Sequence, residues 1–105
     1  MEDLDRLILE AVDEGLARLG PSVKHVTMFY AEKKFGLPRE EIPKRIDRFE
    51  QVLKEMYDVA AEHIAASIIE VLSKKLGLEG HDVRSLSEAV KKAREAWHGR
   101  TSSAS

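Results

Sequence analysis

The sequence predicts an all-α protein, a compact five-helix bundle whose central fourth helix is largely buried. Three observations carry that prediction. No stretch alternates apolar and polar residues at period two with β-branched enrichment, so strand signals are missing. Apolar residues recur instead at spacings of three and four. Glycines, prolines and capping residues then divide the chain into pieces of helical length.

The first helix is expected from about Leu4 to Leu19, with Leu4, Ile8, Ala11, Val12, Gly15, Leu16 and Leu19 on one face. Asp3 is placed to cap it, and Asp5 suits the positive end of its dipole. Gly20-Pro21 closes this helix and opens the next, with proline in the first turn where its missing N–H costs nothing. The second helix, from about Ser22 to Phe35, is expected to turn Val23, Val26, Phe29, Tyr30 and Ala31 inward. It ends on Lys33-Lys34-Phe35-Gly36-Leu37. Lysines sit by the negative dipole end, glycine takes the left-handed position, and leucine folds back. The phrase returns as Lys74-Lys75-Leu76-Gly77-Leu78. The flanking residues do not match, so shared stop chemistry explains it better than a duplicated half-domain.

Pro38 and Pro43 leave room for about one turn between them. From residue 44 to 76 there is neither glycine nor proline. As one straight helix those residues would reach about 50 Å, against a radius of gyration of ~13 Å for a domain this size. A break near Tyr57-Asp58 is therefore expected, with Asp58 capping a fourth helix. Between Val59 and Leu76 the polar residues keep to a stripe of His63, Ser67, Glu70 and Lys74, with Glu62 alongside. So much apolar circumference places this helix centrally. The last helix opens on the capping box Ser85-Leu86-Ser87-Glu88 and lays down Leu86, Ala89, Val90, Ala93 and Trp97. Gly99 is expected to stop it. Residues 1–99 then form a single domain and 100–105 a flexible tail.

At 105 residues with 43% hydrophobic content, the chain has room for one domain and a core of ordinary size. Cysteine is absent, which removes disulfides, thiolate metal sites and cysteine nucleophiles and fits a cytoplasmic location. No secretory signal is visible at the acidic N-terminus, and the apolar run from Val59 to Leu72 is interrupted by charge, so no membrane span is expected. Seventeen basic and 19 acidic residues give a net charge of −2, which exerts no global pull on nucleic acid. Asparagine is missing and Gln51 is the only glutamine, a bias found in thermophilic proteins.

The catalytic inventory is thin. There is no glycine-rich phosphate loop, no serine in a nucleophile elbow and no pair of histidines at metal spacing. His25, His63, His81 and His98 are scattered, and His63 on the polar stripe reads as a solvated side chain. Glu55, Asp58 and Glu62 would share a face only if the helix ran unbroken; an exposed acidic surface is the simpler reading. Neither an enzymatic site nor a cofactor or metal is expected. Aromatic Tyr30, Phe49 and Trp97 admit a small-ligand sensor, although such residues more often build plain core.

Charge is segregated more than its total suggests. Residues 1–19 hold six acids against two bases, and residues 33–48 hold six bases against three acids. Those bases, Lys33, Lys34, Arg39, Lys44, Arg45 and Arg48, are the candidate interaction surface. They would dock an acidic partner, including a second copy of the chain. The competing and favoured reading pairs them with acids inside the domain. A helix, a glycine turn and a basic segment also suggest a helix-turn-helix, but Pro43 stands where the recognition helix should run, so nucleic acid is the lesser alternative.

Leu19-Gly20, then Val23, Tyr30 and Glu32, then Phe35-Gly36-Leu37, Ile42-Pro43, Phe49, Leu53 and the apolar helix ending Lys75-Leu76-Gly77 follow one another in an order that resembles the archaeal Nitrosopumilus output domain family. The resemblance runs from Leu19 to Leu78. Where that family usually has an aromatic-glycine-x-glycine-alanine turn, this chain reads Met56-Tyr57-Asp58-Val59-Ala60. It implies an archaeal helical module, similar to a signalling output or adaptor domain, with no catalytic residues to carry over. The expected function is therefore a non-catalytic protein-interaction or signalling output module. It contacts a protein partner or itself through the basic segment or an uncovered face of the central helix.

Overall fold

A computed structural model describes residues 3–77, 83 and 85–104. Among them the chain forms five α-helices and no strand: α1 (Asp3–Ala17), α2 (Pro21–Phe35), α3 (Ile46–Tyr57), α4 (Ala61–Leu76) and α5 (Leu86–Ala104). Short 3-10 segments, Arg39–Arg45 and Asp58–Ala60, join α2 to α3 and α3 to α4. Leu78 and His81 lie outside the described residues. The expected all-α bundle is what forms, with a radius of gyration of 13.3 Å.

The local stop chemistry works as its residues dictate. At Gly36, φ is 61° and ψ 33°, and the Leu37 N–H reaches back to the Ala31 carbonyl at 3.0 Å while Leu37 itself is fully buried. Gly77 takes the same left-handed conformation at the end of α4. The connector is longer than its prolines suggest, because a 3-10 segment accommodates Pro43 inside it, fixed φ and missing N–H included.

Segment 44–76 is broken where expected, but by a different device. Asp58 does not cap α4; Ala60 holds the cap position and no side chain bonds there. The break is made by the Asp58 backbone, at φ 50° and ψ −119°, a combination that a side chain tolerates poorly. Relief of that strain should outweigh the extra freedom glycine gives the unfolded chain. Asp58→Gly is expected to raise the urea midpoint, corresponding to about 1 kcal/mol of added stability.

α1 and α4 form the centre. Gly15 of α1 lies so close to α4 that a Cβ there would fall 2.7 Å from the Ile68 Cα. Ser67 donates its hydroxyl to the Gly15 carbonyl at 2.8 Å, so it faces inward and not along the outward stripe. Glu62, His63, Ala66, Glu70 and Lys74 make that stripe. Around this pair, α3 and α5 close the core with Phe49, Val52, Leu53, Leu86 and Val90.

α5 is fixed at its start and near its middle by groups far away in sequence. At its start, Ser85 Oγ accepts the Glu88 N–H at 3.1 Å, half of the expected capping box. The other half is not made by Glu88, which pairs with Lys92. Instead, Glu50 of α3 accepts the N–H groups of Leu86 (3.1 Å) and Ser87 (2.9 Å) as well as the Ser87 hydroxyl. A carboxylate here satisfies orphan donors and meets the positive end of the dipole. Glu50→Ala should therefore cost about 2 kcal/mol in chemical denaturation. A loss below about 0.5 kcal/mol, the scatter of surface substitutions, would mean water replaces the carboxylate.

Further along, Arg94 donates to Asp5 Oδ1 at 2.8 Å and to the Pro43 carbonyl at 2.9 Å. Asp5, placed by the sequence at the positive end of the α1 dipole, is 1% exposed. The backbone of α5 also continues through Gly99 to Ala104, past the expected stop. No proline follows Gly99, and a single helical glycine costs only about 1 kcal/mol.

Candidate interaction surface

All six bases singled out in the sequence are exposed, and four of them are engaged by groups within the domain. Arg39, at the start of the connector, pairs with Asp13 of α1, whose carboxylate is mostly buried. That hydrogen bond holds the guanidinium's pKa above its ordinary value. Arg45 pairs with Glu41 one turn earlier at 3.1 Å. Two bases lie against aromatic rings: the Arg48 guanidinium is 5.4 Å from the Phe35 centroid, and the Lys33 ammonium 6.0 Å from that of Phe29. Lys34 and Lys44 are exposed and make no ion pair among the described residues. So the acids of α1 and the bases of the connector meet in part within the domain.

The same neutralisation runs along the α1–α4 seam. Glu70 receives Lys74 at 3.3 Å and Arg18 at 3.4 Å, and Lys75 reaches Glu14 at 3.0 Å. The hydrogen bond from Lys74 and the charge of Arg18 hold the Glu70 carboxyl below its usual range. Tyr30 donates to Glu55 at 3.0 Å, which pushes the phenol's pKa up. With Glu55 so engaged and the helix broken at Asp58, Glu55, Asp58 and Glu62 do not form a shared face. Among the described residues no group of three or more His, Asp or Glu is arranged to hold a metal ion. No helix among them is long and apolar enough to cross a membrane.

The residues proposed for a small-ligand site are separated in the same way. Phe49 is fully buried in the core, Tyr30 is tied to α3, and Trp97 packs on the core from α5. None of them lines either of two surface hollows. One is a shallow groove of about 600 Å³ between the connector and α5, floored by Pro43, Ile46 and Val90. The other, about 440 Å³, lies between α3 and α4 beside Val59.

Val59, in the break between α3 and α4, is 85% exposed by itself, while α2 exposes two apolar residues one turn apart where the sequence expects burial. Val26 is 50% and Phe29 59% exposed, and Leu19 in the turn before α2 is 45% exposed. The buried side of α2 is Thr27 and Ala31. Apolar residues surround this helix on every side, so periodicity does not choose an inward face. Polar satisfaction does: the Thr27 hydroxyl donates to the Val23 carbonyl at 2.6 Å and shares a hydrogen bond of 2.6 Å with the Tyr57 hydroxyl of α3. Turning Thr27 inward leaves Val26 and Phe29, one turn apart, pointing to water. No protein-family model, no curated protein and no solved structure matches the chain.

Proposed function

We propose that this chain is a non-catalytic helical protein-interaction or signalling output module that makes its contact through the outward face of α2. The single observation that supports the reading is that exposed strip, in which Val26 and Phe29 are more than half accessible or close to it on a helix whose opposite side is fully packed. Isolated exposed apolar residues are ordinary; two of them one turn apart on a rigid helix, with a third in the turn before it at Leu19, are the usual mark of a contact site. The basic segment takes a lesser part, through Lys33 and Arg48 beside their rings. The resemblance to the Nitrosopumilus output domain points the same way and adds an archaeal, heat-adapted cytoplasmic setting to the proposal.

A photo-activated cross-linker placed at position 29 in living host cells tests the proposal, with position 63 on the outward stripe of α4 as the comparison. Protein adducts are expected from 29 and not from 63. Clean monomer from both positions would remove the interaction reading. Phe29→Asp should leave folding intact, with a stability change within about 0.5 kcal/mol, because the ring supports no core contact that burial would reward.

A further inference from the structure

We infer that the partner on the α2 face is a second copy of this chain, bound antiparallel about a two-fold axis that passes between Val26 and Phe29. The inference rests on the interaction reading above and deepens it. Ser22, His25, Val26, Phe29, Glu32 and Lys33 are all exposed on α2. At 100° per residue, Val26, Phe29, Ser22 and Lys33 fall on the outward pole, directly opposite Ala31, while His25 and Glu32 lie together on one flank.

This strip complements itself in one orientation only. In the antiparallel pair each Val26 meets Phe29 of the second copy, so both apolar side chains are covered twice over. The flank is carried onto the same side by the two-fold, and His25 comes beside Glu32 of the second copy, offset by only about 3 Å along the axis. Two such contacts form by symmetry. Lys33 comes level with Ser22, and the two Lys33 residues stand about 16 Å apart, beyond the screening length of ~8 Å in physiological salt. A parallel two-fold pair would set Lys33 on Lys33 and carry the two flanks to opposite sides, so the His25–Glu32 contacts would be lost. Charge therefore selects the antiparallel form. One helix-on-helix contact buries less than the ~1,200 Å² of a standard interface, so the dimer belongs to the weak, rapidly exchanging class.

Sedimentation equilibrium from about 10 µM to about 1 mM tests the inference across the range a weak dimer requires. The mass should climb from the 11.8 kDa monomer toward twice that value. Phe29→Glu should abolish the rise. His25→Glu should weaken association about tenfold, since it sets acid against acid in both symmetric contacts, and Glu32→Lys should weaken it by removing the carboxylate from both. The combined His25→Glu/Glu32→Lys protein should associate again, because attraction is restored with the charges exchanged. These replacements are at exposed positions and agree with the dipole of α2, acid toward its start and base toward its end, so they should not unfold it. Since the chain has no cysteine, Ser22→Cys and Lys33→Cys proteins mixed under mild oxidation should cross-link to each other in preference to themselves. A constant monomer mass at the highest concentration overturns the dimer, and so does failure of the double reversal to recover it. Adducts from position 29 to other proteins alone would overturn the dimer while leaving the interaction reading in place.

Discussion

Replacing Arg94 with Met is expected to lower the unfolding free energy by about 3 kcal/mol, read from urea denaturation. Arg94 is the sole described partner of the Asp5 side chain, which is buried to 1% exposure, and the second Asp5 oxygen has no hydrogen-bond partner among the described residues. Losing the guanidinium would strand a carboxylate in the core with neither oxygen satisfied, and would also free the Pro43 carbonyl. The loss falls at the lower end of the range for broken buried pairs, because the Arg94 side chain itself is 29% exposed. The cost belongs to the unpaired charge and not to the attraction as such. A double replacement, Asp5→Leu with Arg94→Met, should therefore recover most of the loss. Recovery of nothing would show that the pair, and not its burial, is what stabilises the junction of α1, α5 and the connector.

Gly15→Ala should destabilise the domain by about 3 kcal/mol, although alanine is the better helix former by about 1 kcal/mol. The added methyl would lie 2.7 Å from both the Ile68 Cα and Cγ1 and 2.9 Å from the Ile68 nitrogen. Real Cβ atoms do not approach backbone so closely, and α4 would have to move as a body. Moving it stretches the 2.8 Å bond from Ser67 to the Gly15 carbonyl and loosens the packing of Ile68, which is 1% exposed. Steric repulsion against backbone outweighs propensity here. The measurement is the thermal midpoint of Gly15→Ala beside a control alanine at an exposed α1 position such as Glu10. The control should stay close to the parent, and an unchanged Gly15→Ala protein would mean that α1 and α4 can separate at little cost.

The helices and their ends were largely legible in order because they are written in local chemistry. Gly36 and Gly77 terminate α2 and α4 through left-handed backbone that glycine adopts freely, and both were readable from five residues. The division between α3 and α4 followed from length alone, since an unbroken 50 Å rod (the ~1.5 Å rise times its residues) exceeds the 42 Å longest dimension of the molecule. Its mechanism did not follow, because a strained Asp58 has no signature in composition. The candidate surface was the least legible feature. Basic residues close in sequence admitted either a docking surface or, as the favoured reading, pairing inside the domain, and composition does not name the pairs: folding sends Arg39 to Asp13 and Arg45 to Glu41 while Arg48 covers Phe35.

Local chemistry settled the helical segments, their stop signals and the absence of strand among the described residues. Those depend on contacts within a turn or two, and such contacts are encoded side by side. The tertiary structure alone decided which face of α2 meets water, that Asp5 is buried beneath Arg94, that Glu50 caps a helix 36 residues away, and that Gly15 must be bare. Each of these joins groups distant along the chain. Their energies depend on burial and hydrogen-bond satisfaction at the meeting point, and no local pattern carries that information.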